Sequence, residues 1–447
     1  MSYLLGIDVG TTGTKTILID TEGKLISGST VEYPLSTPHP NWAEQEPADW
    51  WQATVESVRK VLKQSDINAE AIVGVGLSGQ MHSSVFLDQH NEVLRPAILW
   101  CDTRTKQQCQ WIVKKIGVEG LRKYVSNFAF EGFTAPKIIW LRENEPETYA
   151  QVKTVILPKD YIRFRLTGEL ATEVSDAAGT LLFDVKNRSW SAQMLQQLQI
   201  PSSWLPDVHE STDICGRITN EAAQLIGLRI GTPVVGGGAD NTCGAVGSGI
   251  VESGRVLSSI GTSGVIFAHT DTVKVDPQMR VHSFCHSVPH KWYLMGVVLS
   301  AGGSFRWFRD TIGGLEAKTE ELSGIDSYDI LTREAEGIKP GSEGLLFLPY
   351  LMGERTPHRD AQAKGVWFGI TSRHRRGHLV RSVLEGITFA MRDSMEIIRG
   401  LGVEVKEIRA TGGGARSRLW CQLQADIYGA PVVTVNTSRE GPAFGAA

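Results

Sequence analysis

The chain has 447 residues, of which 41% are hydrophobic and 21% charged, with a formal net charge of −4; these are the proportions of a globular protein too long for one core, so two or three domains are expected. The mild acidity excludes a general electrostatic attraction to nucleic acid or to an anionic membrane surface. No apolar run is long enough to span a bilayer, Met1 does not open a basic-then-apolar leader, and the six cysteines have neither C-x-x-C nor zinc-finger spacing, so a cytoplasmic setting without disulfides or a membrane anchor is expected.

Residues 3 to 9 are apolar apart from Gly6 and Asp8, and Thr16-Ile17-Leu18-Ile19 resumes the strand signal. The pattern predicts a hairpin whose tip is Gly10-Thr11-Thr12-Gly13. Glycines permit positive φ and close approach of the backbone to a ligand. Successive N–H groups in such a turn form a nest that suits phosphate oxygens, and the threonine hydroxyls add donors. Asp8 then lies where a divalent cation bridging those phosphates needs a hard oxygen ligand. The stretch is not a Walker A loop, because Lys15 follows Thr14 rather than glycine. By itself it also suits a common glycine-rich hairpin with a solvated or capping aspartate.

A third strand is predicted from Leu25 to Tyr33, then a proline-rich loop, then a helix opening at Pro47 with Trp51, Val55, Val58 and Leu62 at helical spacing. The apolar strand 71–77 runs into Ser78-Gly79-Gln80-Met81-His82. Three strands, a helix and a fourth strand is the order of a ribonuclease-H-like unit. Ligands of open α/β sheets gather at the carboxyl ends of strands, which makes Met81 and His82 candidates; Trp100, Asp102 and Arg104, after the strand 94–99, rank second. A lone histidine is equally a hydrogen-bonded structural residue.

Helices are expected over 105–124 and 134–145, then a strand at 155–157 feeding a helix that stops at Gly168. Residues 172–184 read as a hairpin or loop, and 218–227 as a short helix. The buried strand from Pro233 ends in Gly236-Gly237-Gly238-Ala239-Asp240-Asn241. A carboxylate there can accept a hydroxyl proton; it can equally cap the following helix.

The chain then repeats itself. Residues 256–260 lead into Gly261-Thr262-Ser263-Gly264 and out through 265–268, matching Gly10-Thr11-Thr12-Gly13 position for position with Ser for Thr. A strand from Trp292 and a helix from about Ser304 follow, as in the first half. Two copies of one α/β unit are implied, with two hairpins gripping a phosphate chain from both sides of a cleft. Beyond lie a strand predicted as buried at 344–350, a helix from Leu379 to Ile398, and a strand entering the glycine-rich Gly412-Gly413-Gly414-Ala415 turn before a helix closed at Gly429.

At this point the chain resembles the FGGY group of sugar kinases within the actin and hexokinase superfamily. Gly132-Phe133-Thr134-Ala135-Pro136-Lys137 through Asn144, and Gly365 through Glu385, match its two extended patterns. Gly79-Gln80-Met81-His82, Leu157 through Tyr161, Ser175 through Thr180 and Gly353 through His358 stand as in the xylulose-phosphorylating subfamily. The resemblance implies an α/β fold of two ribonuclease-H-like domains around a cleft: residues 1–248 for sugar and phosphate, 249–447 for the nucleotide. It implies ATP and Mg²⁺ as cofactors and D-xylulose as the sugar. Asp240 is then the general base; Asp8 helps hold the metal; Met81, His82, Asp240 and Asn241 bind the sugar. The cofactor-binding set is Gly10, Thr11, Thr12, Gly13, Lys15, Gly261, Thr262, Ser263, Gly264, Gly413, Gly414 and Ala415. A kinase for another pentulose, polyol or sugar acid, or a non-catalytic nucleotide-dependent sugar sensor, stays open as an alternative, as does a homodimer. Relatives usually continue for some tens of residues past Ala447. The segment 441–447 is therefore expected to open a helix on the second domain that is cut short.

Overall fold

A computed structural model describes residues 1–435 and 441–447. The chain forms two compact units, one of Met1–Gly249, Ser283–Trp292 and Arg439–Ala447, the other of Ile250–His282 and Tyr293–Ser438. The segments 283–292 and 441–447 thus count with the first unit although they lie far along the chain. Among the described residues no helix is long and apolar enough to cross a membrane.

In unit 1 the strands β1 (Tyr3–Val9), β2 (Gly13–Asp20) and β3 (Leu25–Glu32) form an antiparallel meander, and helix α1 (Pro47–Ser65) leads to β4 (Ile72–Gly79). β4 pairs parallel with β1, and its other side carries β6 (Pro233–Val235), then β5 (Ile214–Arg217) at the edge. β7 (Gly238–Ala239) also pairs with β4, Gly238 against Ser78 and Ala239 against Gly79. The pairing places the amino end of helix α4 (Asp240–Gly247) beside the carboxyl end of β4. On β1, Asp8 lies opposite Lys15 of β2 and Ser78 of β4. Between α1 and the sheet, Trp50, Val58 and Val61 meet Leu5, Ile7 and Leu18, all fully buried. Side chains of successive strand residues point to opposite faces, so Ile17 and Ile19 serve the other face of β2.

Unit 2 repeats this plan. β8 (Gly254–Ile260) and β9 (Gly264–Thr270) pair antiparallel, and β12 (Val405–Gly412) pairs with β8 in parallel, as β4 does with β1. The sheet order is β10–β11–β9–β8–β12–β13, with β10 (His282–Cys285), most of which falls in the segment counted with unit 1, β11 (Trp292–Val298) and β13 (Val432–Thr434). Helices α5 (Gly302–Ile312), α6 (Ser327–Glu336), α7 (Arg376–Gly400) and α8 (Arg418–Tyr428) complete it. α7 buries Val380, Val383, Leu384, Ile387 and Met391 in the core, an i, i+3, i+4 stripe.

Three expectations are corrected. The apolar run at 344–350 is not a buried strand: only Leu346–Leu348 is extended, in a separate two-stranded ribbon with Val366–Phe368, and Leu346 and Leu348 are exposed. Residues 172–184, expected as a hairpin or loop, hold a short helix, Val174–Ala178. The final segment forms helix α9 (Pro442–Ala446), which packs on β1, β4 and α4 and counts with unit 1, where a helix of the second domain was expected. Ala443 and Phe444 lie on the sheet face made by Leu4, Ile17 and Ile19. An apolar face left open on β1 and β2 decides this docking.

Candidate active site

Asp8 and Asp240 converge in unit 1. Burial raises the Asp8 carboxyl to about 6 against the pull of the Ser78 hydroxyl and the Lys15 charge. Burial, then the negative charge of Asp8, raises Asp240 to about 7. A buried carboxyl whose ionisation is disfavoured by a second one beside it marks a candidate for proton or cation chemistry. The Asn241 N–H donates to Asp240 Oδ1 at 2.8 Å, and the Asn241 amide also reaches Met81 Sδ at 3.5 Å. Met81 is buried.

His82 stands at φ 69°, and its Nδ1 lies 2.6 Å from the Gly179 carbonyl. A carbonyl only accepts, so Nδ1 carries the proton. The ring rests against Phe133 at 4.6 Å and Phe284 at 6.1 Å. The left-handed backbone is held by two donors on the His82 carbonyl, Thr134 Oγ1 at 3.0 Å and Lys137 Nζ at 2.9 Å. Lys137, on helix α2 (Thr134–Asn144), is fully buried, and burial lowers its ammonium to about 7. Its Nζ also donates to the Gly132 carbonyl at 2.7 Å. Lys137→Met takes a donor from two part-buried carbonyls, leaving Thr134 on that of His82 and emptying the core position of the ammonium. Urea unfolding is expected to show a loss of about 2–4 kcal/mol, and a loss under 1 kcal/mol would mean that water replaces the ammonium.

The Gly10–Gly13 turn is fastened from behind. Gly10 N–H donates to the Gly13 carbonyl at 3.1 Å, and the Gly10 carbonyl accepts from Tyr33 Oη at 2.6 Å and Gln80 Nε2 at 3.3 Å. Gln45 Nε2 donates to the Thr11 carbonyl at 2.7 Å, and the Tyr33 N–H to the Thr12 carbonyl at 3.3 Å. A Cβ on Gly13 would lie 2.7 Å from the Val31 carbonyl, so β3 excludes any side chain there. Trp100 joins the turn, its Nε1 donating to Thr11 Oγ1 at 2.9 Å. Asp102 and Arg104 do not. Arg104 grips Asp102 through Nε and Nη2, pairs with Glu44 and covers the Trp42 ring at 3.6 Å, so both charges are spent on structure.

Asp8 Oδ1 is buried without a hydrogen-bond partner. A hard oxygen kept unpaired suits Mg²⁺, which is held by one or two carboxylates together with substrate phosphates and water. Among the described residues no cluster of three or more His, Cys, Asp or Glu forms a cation cage, so phosphate oxygens would supply the remaining ligands.

In unit 2 the second turn closes with Gly261 N–H donating to the Ser263 carbonyl at 2.9 Å, and the Thr262 carbonyl accepts from Ala301 and Gly303. Gly261 and Thr262 line a cavity of about 230 Å³ with Phe305, Tyr328, Gly413 and Trp420 among its walls. Its lining of aromatic rings, glycines and polar side chains suits a nucleoside. Gly414 also lines it, but a Cβ there would lie 2.7 Å from Ile260 Cβ, so packing on β8 alone demands that glycine. Gly264 is likewise set by packing, since a Cβ there would lie 2.9 Å from Met391 Sδ. Ser263, Gly264 and Ala415 do not line the cavity. Phe305, Arg306, Asp326, Tyr328, Asp329 and Trp420 were not foreseen: they come from α5, from α6 with the residue that caps it, and from α8, and no spacing announces them.

A second unforeseen group stands behind Asp240. Lys159, Asp160 and Arg163 of helix α3 (Pro158–Thr167) meet Glu173 and Asp176, all five buried.

The FGGY family of carbohydrate kinases matches the chain twice, its N-terminal domain over residues 3–247 and its C-terminal domain over 256–447. The chain is 42% identical to a xylulose kinase of Bacillus subtilis (strain 168) over 447 residues, all of this chain and 87% of that one. It is 32% identical to a gluconokinase of the same organism, covering 86% of that chain. The solved structure of a ligand-bound xylulose kinase from Lactobacillus acidophilus superposes with a TM-score of 0.91 at 29% identity, covering all of this chain and 88% of that one.

Proposed function

Since the chain belongs to the FGGY family of carbohydrate kinases and is itself a carbohydrate kinase, we propose that it transfers the terminal phosphoryl group of ATP to D-xylulose, giving xylulose 5-phosphate. The observation that carries the chemistry is the Asp8–Asp240 pair, one carboxyl raised to about 7 beside another raised to about 6. A base near neutrality is deprotonated often enough to accept a hydroxyl proton and basic enough to hold it.

In this reading unit 1 binds the sugar. Asp240 takes the proton of the terminal hydroxyl, so that its oxygen is ready for in-line attack on the γ-phosphorus. Asn241 steadies Asp240 and, with Met81 and His82, orients the sugar. Backbone N–H groups of the Gly10–Gly13 turn and the Lys15 ammonium take phosphate oxygens. Unit 2 takes the nucleoside in the cavity beside Phe305 and Trp420, which Gly261, Thr262 and Gly413 also line. Mg²⁺, when bound, would neutralise charge on the phosphates, with Asp8 as its protein ligand. Positioning and charge neutralisation do most of the work in phosphoryl transfer. The six cysteines are all free, which suits the cytoplasmic setting that an ATP-consuming reaction supports.

A coupled ADP-release assay with ATP and Mg²⁺ tests the sugar, comparing D-xylulose, D-ribulose, L-ribulose, glycerol and gluconate. D-xylulose is expected to lead in kcat/KM by about 10²-fold, the span a few pocket contacts provide. A lead for gluconate would overturn the sugar and leave the kinase; no turnover with any acceptor would favour a nucleotide-dependent sensor.

A further inference from the structure

The run Gly236-Gly237-Gly238-Ala239 that delivers Asp240 is held at both ends by a buried ionic network. At the near end Arg163 Nη1 donates to the Gly236 carbonyl at 2.9 Å. At the far end the Ala239 N–H, one residue before Asp240, donates to Ser175 Oγ at 3.0 Å, and Ser175 Oγ–H donates to Glu173 Oε1 at 2.8 Å. Between them Gly237, at φ +74°, lies so close to β4 that a Cβ would stand 2.1 Å from the Leu77 carbonyl. Glycine leaves such a segment without side chains to wedge it, so its position depends on backbone hydrogen bonds: these two, those from the Gly236 and Gly237 N–H groups to the Asp213 and Ser211 carbonyls, and the pairing of Gly238 and Ala239 with β4.

Glu173 is itself fixed. It accepts from the Ser175 and Asp176 amides at 2.7 and 2.8 Å and from Ser211 Oγ at 2.7 Å, and Lys159 Nζ lies 3.3 Å from Oε1. Lys159 also meets Asp160 at 2.8 Å and Asp176 at 3.1 Å, while Arg163 Nη2 meets Asp160 at 2.8 Å. Three carboxyls face two cations. Burial, with the charges of Asp160 and Glu173, pushes Asp176 well above the usual carboxylate range. For Asp160, Lys159 and Arg163 outweigh burial and pull it down. With a proton on Asp176 the charges balance, which is the condition under which a fully buried ionic cluster is tolerated. A network so costly to desolvate is weak evidence for stability; its two contacts with the 236–239 backbone give it another use.

We propose that Ser175 is a positioning residue for phosphoryl transfer: held by Glu173 and, through it, Lys159, it fixes the Ala239 peptide and so the direction in which Asp240 presents its carboxylate. The inference rests on the reading of Asp240 as the base.

Ser175→Ala removes one oxygen and leaves the folded volume nearly unchanged. The expected result is a fall in kcat of about 10²-fold, the cost of a misplacement of about 1 Å, with KM for ATP within about threefold of the parent and KM for D-xylulose changed far less than kcat, since Met81 and His82 keep their places. A merely structural serine would lower the folded fraction and Tm and leave kcat per folded molecule unchanged, so rates are normalised to folded protein by circular dichroism. Ser175→Thr keeps the hydroxyl and is expected to recover most of kcat. A kcat for Ser175→Ala within twofold of the parent, or equal losses in both variants, would overturn the proposal. Asp240→Asn, assayed alongside, separates the two readings. If it stays active, the assignment of the base fails; if it is inactive while Ser175→Ala is not impaired, the positioning role alone fails.

Discussion

Asp240→Asn is expected to lose at least about 10³-fold in kcat, within the range general acid–base catalysis provides, and yet to melt at a higher temperature than the parent at pH 8. The asparagine keeps the shape of the side chain and an oxygen for the Asn241 amide, but cannot accept a hydroxyl proton. The gain in stability follows from the direction of the pKa shifts. Asp240 and Asp8 titrate at about 7 and about 6 in the folded chain, above the ordinary 3.8. The folded state therefore holds protons that the unfolded chain releases between about pH 4 and 7, and stability falls as pH rises through that window. Above about pH 7 both carboxylates are charged, buried and repelling, and the full cost is present. Removing one charge relieves its share, so Tm should rise at pH 8 by about 2–4 °C for each kcal/mol recovered. At pH 4, where both carboxyls are already protonated in the folded chain, the two proteins should melt together. A scanning fluorimetry series from pH 4 to 8, paired with the ADP-release assay, reads both effects. An inactive variant with unchanged Tm at pH 8 would show that the pair is solvated rather than strained; an active one would remove Asp240 from the chemistry.

The fold and the convergence of Asp8 with Asp240 were legible because they rest on local signals. The hairpin at Gly10–Gly13, the strand ending at Gly79 and the glycine run before Asp240 each announce themselves through periodicity and turn chemistry, and the second hairpin repeats the first. Pairing of β4 with β1 and β7 then brings Asp8, Met81 and Asp240 together, as expected of residues at the carboxyl ends of adjacent parallel strands. What stayed hidden depends on contacts across long sequence separation. Lys159 to Asp176 read as an ordinary helix and a loop, since nothing in the spacing shows that five charged residues are folded onto one another. The nucleoside-sized cavity draws Phe305, Tyr328 and Trp420 from three helices. The strand expected at 344–350 failed for the opposite reason: a short apolar run carries no mark of whether a sheet will bury it.

Gly6 and Gly76 are the sharpest case, since in the sequence they are unremarked glycines within apolar strands. A Cβ on Gly76 would stand 1.8 Å from the Ala446 carbonyl oxygen, and one on Gly6 2.0 Å from that of Ala443. The terminal helix α9 therefore lies with its backbone directly on β1 and β4, and its own Gly445 meets the Cys243 carbonyl of α4 just as closely. The helix is wedged among the three elements that carry Asp8, Ser78 and Asp240. Gly76→Ala cannot be absorbed by a rotamer change, because the obstructing atoms are backbone; α9 must move by more than 1 Å. The expected result is a loss of about 3 kcal/mol, at the upper end of overpacking costs, and a drop in turnover of about 10²-fold as the β1–β4–α4 frame shifts. Gly74→Ala is the matched control. It lies two residues earlier on the same face of β4, where a Cβ would meet only Leu4 Cδ2 at 3.4 Å, an ordinary contact. Its Tm and kcat should stay close to the parent's. If thermal unfolding and turnover respond alike to the two substitutions, α9 is not seated on Gly76 and the site does not depend on it; if only Gly76→Ala fails, the last helix of the chain is part of the scaffold that aims the two carboxylates.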